Sequence, residues 1–119
     1  MRRANAVCAG WTAALNQLGP SPPLADTNRL ATFTRQQLEI DRSYTAQFEA
    51  LTASPTEKSA LAPVNSGFEA INNEENQVLT AAAAGDRVDV QTHHQAAVND
   101  TTTLNVKLSA FKLNVCVAP

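Results

Sequence analysis

Residues 85–115 read GDRVDVQTHHQAAVNDTTTLNVKLSAFKLNV. Within them Val90, His94, Ala97, Thr101, Leu104, Leu108, Phe111 and Val115 recur at alternating steps of 4 and 3. A mean step of 3.5 keeps one seam turned toward a neighbour along a packed helix, whereas a strand would alternate at every second residue. Gly85 ends whatever precedes it, and Asp86 is a good N-cap. Asp89, three residues on, adds negative charge to the first turn. This segment is therefore a long amphipathic helix meant for a bundle.

The same reading extends toward the N-terminus. Ser54-Pro55-Thr56-Glu57 forms a capping box with proline at the first helical position, and it opens a segment running to Gly85. The seam of that segment is Leu61, Val64, Phe68, Ile71, Glu75, Val78 and Ala82. Pro63 lies two turns inside, where a missing donor and a ring clash predict a kink or a short first piece. The segment before it starts at the N-cap Asp26 and reaches about residue 52, with the seam Leu30, Phe33, Gln37, Ile40, Tyr44, Gln47 and Leu51. A first, shorter segment spans about residues 4–18 and aligns Cys8, Trp11, Leu15 and Leu18. Gly19-Pro20-Ser21-Pro22-Pro23 ends it. Four helical segments joined by short connections predict an all-α, antiparallel up-down-up-down four-helix bundle.

The chain has 119 residues, which makes one domain over 1–119. Nine basic and 11 acidic residues leave a net charge of −2, so no electrostatic case exists for nucleic acid or an anionic membrane surface as partner. No window is apolar enough to span a membrane. The start, Met1-Arg2-Arg3, is not followed by a signal peptide's apolar region, and bulky Val7 before Cys8 makes a poor lipoprotein box. An exported form would therefore have lost its targeting segment.

The two cysteines, Cys8 and Cys116, allow two readings: buried thiols in a reducing compartment, or one disulfide in an oxidising one. In an even-numbered antiparallel bundle the start of the first helix lies beside the end of the last. That favours a staple between the first and last helix, closing a loop worth about 4–5 kcal/mol by the chain-entropy argument.

Sites of chemistry are scarce. A di-iron carboxylate centre needs Glu-x-x-His on two helices, and neither His93 nor His94 has a carboxylate three residues earlier. Covalent haem attachment needs Cys-x-x-Cys-His, which is absent, as are Gly-rich phosphate loops. Adjacent His93 and His94 point about 100° apart on a helix, so they cannot share a site. The seam puts His94 at the core edge and His93 toward solvent. Gln37, Gln47, Glu75 and Thr101 are the polar seam positions, read as register-fixing residues or, alternatively, as the lining of a pocket. Asn99-Asp100-Thr101 matches a glycosylation sequon, but a mid-helix site is a poor acceptor. An enzyme would need a site assembled from His94, Tyr44 and Glu39 or Glu75, which nothing in the spacing demands.

Cys8 with Trp11 one turn later, the turn Ala84-Gly85-Asp86 and the ending Phe111-Lys112-Leu113-Asn114-Val115-Cys116 together carry a resemblance. The chain resembles exported actinobacterial domains of lipoproteins and membrane-anchored proteins, whose ending is similar to Leu/Phe-Gly-Leu-x-x-Cys. Lys112 stands where those sequences often have Gly. Six Arg against three Lys suit a GC-rich genome. The resemblance implies an extracytoplasmic four-helix domain with a Cys8–Cys116 bridge and no assigned activity.

The expectation is thus a non-enzymatic interaction or sensor module without cofactor, catalytic residue or metal site, located outside the cytoplasm. Any membrane tie would come through an upstream anchor. The alternative is a small-ligand-binding bundle with a polar cavity between helices 2 and 4, lined by Gln37, Tyr44, Gln47 and His94.

Overall fold

The computed structural model describes residues 2–51, 55–113 and 116. Four helices follow one another: α1 (Arg2–Leu18), α2 (Thr27–Ala50), α3 (Pro55–Ala83) and α4 (Arg87–Ala110). Their boundaries follow from local chemistry. Asp26 caps α2 by accepting from the Arg29 amide at 3.3 Å, and Asp86 caps α4 by accepting from the Asp89 amide at 3.0 Å. Gly19 and Gly85 take φ values of 85° and 71°, the left-handed turn that ends α1 and α3. The expected capping box rests on Ser54, which lies outside the described residues, as does the seam position Val115.

Consecutive helices pack against each other, α1 on α2, α2 on α3 and α3 on α4, in the expected antiparallel order. The longest helix has 29 residues, roughly 44 Å at 1.5 Å per residue, which is the 44 Å long dimension of the molecule. α3 runs as one helix through Pro63, so the expected short first piece is not formed. Pro63 faces solvent, where water can take the carbonyl that its ring leaves without a donor. Lys107 Nζ lies 3.5 Å from the Pro63 carbonyl.

Two clusters fill the interior. At one end Cys8, Phe48, Val64, Phe68, Leu104, Leu108, Leu113 and Cys116 pack together with Ala4 and Leu61. At the other, Leu30, Ala31, Val78, Ala81, Ala82 and Val90 form a smaller cluster of mostly small side chains. α1 ends at Leu18, so it does not reach the second cluster, against which only Leu24 of the proline-rich connection packs from that side.

The disulfide Cys8–Cys116 is formed, with Cα atoms 4.7 Å apart. The expected staple is present, with Cys116 placed just beyond the end of α4. α4 stops because Lys112 adopts φ 58°, with its amide donating to the Ser109 carbonyl at 3.0 Å and the Leu113 amide to the Leu108 carbonyl at 2.9 Å. This is a Schellman arrangement, usually built on glycine. It turns the chain inward so that Leu113 and Cys116 are both fully buried.

Candidate functional site

α2 is where sequence and structure part by one residue. Its buried positions are Leu30, Ala31, Thr34, Leu38, Asp41, Thr45 and Phe48, one step on from the expected seam. The expected seam followed the bulky Phe33, Ile40 and Tyr44, which are half-buried. α2 packs on both α1 and α3, so its apolar face is broad, and the face turned to α3 carries small and polar residues. The α3 seam is as expected, with Asn72 added to it: Leu61, Val64, Phe68, Glu75 and Val78 are buried.

The consequence is a polar ladder between α2 and α3. Steps of four on α2 meet steps of three on α3, so Asp41 pairs with Glu75, Thr45 with Asn72, and Glu49 with Glu69. Asn72 Nδ2 donates to Thr45 Oγ1 at 3.1 Å. Asp41 and Glu75, only 6% and 8% exposed, share a side-chain hydrogen bond. Trp11 Nε1 on α1 donates to Asp41 Oδ1 at 2.6 Å. Glu75 Oε2 is buried and has no hydrogen-bond partner among the described residues.

Burial pushes the Glu75 carboxyl up to about 10, and the hydrogen bond and negative charge of Asp41 add to the rise, with Arg42 opposing it. Burial also raises Asp41, against the hydrogen bonds from Glu75 and Trp11. Two carboxyl groups this close do not both ionise in a core, so the pair shares one proton at neutral pH, and Glu75 is the more strongly raised of the two. Farther along the ladder, burial and then the neighbouring Glu69 raise Glu49 as well.

Around this pair lies a half-enclosed cavity of about 110 Å³, walled by Trp11, Tyr44, Phe48 and Phe68 with Asp41 and Glu75 on its lining. Trp11 meets Phe68 edge-on at 5.8 Å, and Phe48 meets Phe68 at 5.4 Å. Tyr44 lies so close to α1 that a Cβ on Gly10 would come within 3.0 Å of its ring. Next to the cavity, a groove of about 380 Å³ opens between α2 and α4 with Ile71, Glu75 and Val78 at its base. Gln37, Ile71, Glu75, Thr101 and Asn105 line both spaces. Two further hollows, about 520 and 480 Å³, are lined by no buried residue.

The sequence-derived candidates fall unevenly on this geometry. Gln37 lines cavity and groove, and Tyr44 walls the cavity. His94 lines the groove from an exposed position rather than the core edge, because α4 faces open space there. The two histidines exchange their expected roles: His93 is half-buried, with Nδ1 2.8 Å from Glu74 Oε2 of α3. Gln47 is exposed and belongs to neither space; its Nε2 donates to Ser43 Oγ at 3.4 Å. The one-residue rotation of α2 carried it outward. The same rotation brought in Asp41, whose only sequence signal was its phase with Leu38, Thr45 and Phe48.

Among the described residues no group of three or more His, Cys, Asp or Glu is placed to hold a metal ion. Compared with known proteins, the chain matches no family model, no curated protein and no solved structure.

Proposed function

We propose that this domain is a non-enzymatic, extracytoplasmic binding module that takes a small ligand in the space between α2 and α4. One observation carries the reading: Glu75 lines both the cavity and the groove and keeps a buried oxygen without a partner among the described residues. An unsatisfied buried polar atom costs about 1–3 kcal/mol, which a ligand bringing a donor would remove. The groove, at about 380 Å³, also lies in the range of ordinary ligand pockets.

A protein-docking surface draws less support. Among the described residues, the exposed large apolar side chains are those of Val88, Val98 and Val106. Val88 and Val106 share a helix face but stand roughly 27 Å apart along it, so they form no continuous patch. The Cys8–Cys116 bridge supports a setting outside the cytoplasm. Among the described residues no helix is long and apolar enough to cross a membrane, so attachment to one would need a segment other than these helices.

The test uses Trp11, the single tryptophan of the chain and a wall of the cavity. A panel of small organic compounds is titrated while Trp11 fluorescence and melting temperature are followed. The expected result is a saturable response to at least one compound class in the native protein and none in Thr101→Phe, which fills the junction of the two spaces. Equal responses in both proteins would place binding elsewhere and remove the reading.

A further inference from the structure

Resting on that reading, we propose that the cavity beside Asp41 and Glu75 is a site for a small primary ammonium group. Three independent features converge on this chemistry. The carboxyl pair lines the cavity from two helices and shares one hydrogen bond, and so leaves a net negative charge in the interior. Glu75 Oε2 accepts nothing from the described residues. The rings of Trp11, Tyr44, Phe48 and Phe68 line it, and an aromatic face attracts a cation.

Each alternative ligand class fails on one of these features. A carboxylate or phosphate would meet like charge without a cation on the cavity lining. A neutral alcohol would satisfy Oε2 and leave the charge of the pair uncompensated. An ammonium group does both: its N–H donates to Oε2 in a charge-assisted bond, and its charge balances Asp41. The cation that acts on Glu75, the exposed Arg42, does not line the cavity.

Size narrows the class. The cavity holds about 110 Å³, against roughly 150 Å³ for an engineered protein cavity that binds benzene, so an ammonium with about three to five carbons fills it. A longer tail would run into the groove past Thr101 toward His94.

The roles of the two carboxyl groups differ, and variants separate them. Glu75→Gln keeps an acceptor oxygen and puts an amide N–H toward Asp41, reproducing the protonated carboxyl. Asp41→Asn keeps an oxygen for Trp11 and deletes the charge. n-Butylammonium chloride, 1-butanol and sodium butyrate are titrated at constant ionic strength near neutral pH, with Trp11 fluorescence as readout. The ammonium compound is expected to saturate at about tenfold lower concentration than the alcohol, a difference of about 1.4 kcal/mol, with butyrate inert. Glu75→Gln keeps that preference and Asp41→Asn reduces it to about one.

Equal binding of ammonium and alcohol by the native protein overturns the cation site while leaving a small-ligand cavity in place. Retention of the preference in both Glu75→Gln and Asp41→Asn also overturns it, since the carboxyl pair would then not supply the charge. No saturable response to any of the three, in a protein that does respond to other compounds of the panel, removes the ammonium proposal alone. No response to any compound removes both readings.

Discussion

The two ends of this bundle use the same helices and solve different problems. At the disulfide end α1 completes the bundle, three aromatic rings pack together, and Leu104, Leu108 and Leu113 close the core. At the Gly85 end α1 is missing, and alanines, valines and one leucine make the buried cluster. Between Val90 and Leu104 no residue of α4 is buried. The difference teaches that a first helix stopping early can open a groove without breaking the fold, provided the other end holds the helices in register. The carboxyl pair sits where the two regimes meet.

The largest test of that contrast is reduction of Cys8–Cys116. A bridge closing a loop of this length contributes about 4–5 kcal/mol through the unfolded chain. Urea unfolding with and without reductant, or of Cys8→Ala/Cys116→Ala, should show a loss of that order; an unchanged midpoint would mean the bridge does not anchor the tight end. Next comes a pair of truncations. Phe48→Ala should cost about 4 kcal/mol, whereas Leu30→Ala at the looser end should cost about 2–3 kcal/mol. Equal costs, read from the same unfolding curves, would erase the asymmetry.

The carboxyl pair sharpens the comparison through pH. Glu75 is raised on folding, to about 10, so its contribution is intact below the unfolded value of 4.5 and lost progressively as pH rises toward the folded one. Asp41 and Glu49, raised as well, act in the same direction. The protein should therefore gain stability on going from pH 7 to 4.5, by up to about 3 kcal/mol at 1.36 kcal/mol per unit. Glu75→Gln should recover most of that gain at pH 7 and flatten the profile. Greater stability of the native protein at pH 7 than at pH 4.5 would contradict the shared-proton assignment. The smallest effect concerns the cap of α4: Lys112→Gly keeps the left-handed φ, removes the Cβ crowding that lysine meets there, and should raise stability by about 1 kcal/mol.

Most of the architecture was legible because it is written in local chemistry. Asp26, Asp86, Gly19 and Gly85 mark helix ends by hydrogen-bond and backbone preferences that need no tertiary context. The seam of α3, Glu75 included, was legible because one partner face dominates that helix's period. α2 was misread by one residue because it serves two neighbours, and bulk rather than burial set the phase. That single step hid Asp41 and advanced Gln47. The order of the histidines was hidden by the groove, since His94 follows the seam into a place where α4 has nothing to pack against. The end of α4 was hidden too, because Lys112 does work that sequence reading assigns to glycine. The cavity itself is a gap between four helices, and no run of residues encodes a volume.

The Cys8–Cys116 link also determines how the molecule bears load. A pull applied at the two ends of the chain passes from Cys8 to Cys116 across 4.7 Å, bypassing the 108-residue separation between them. Oxidised, the domain would transmit tension as a short rigid coupling, with its helices and groove outside the line of force. Reduced, the same tension would unzip the bundle and lengthen it by roughly 370 Å at about 3.4 Å per residue. The bridge makes the groove mechanically silent.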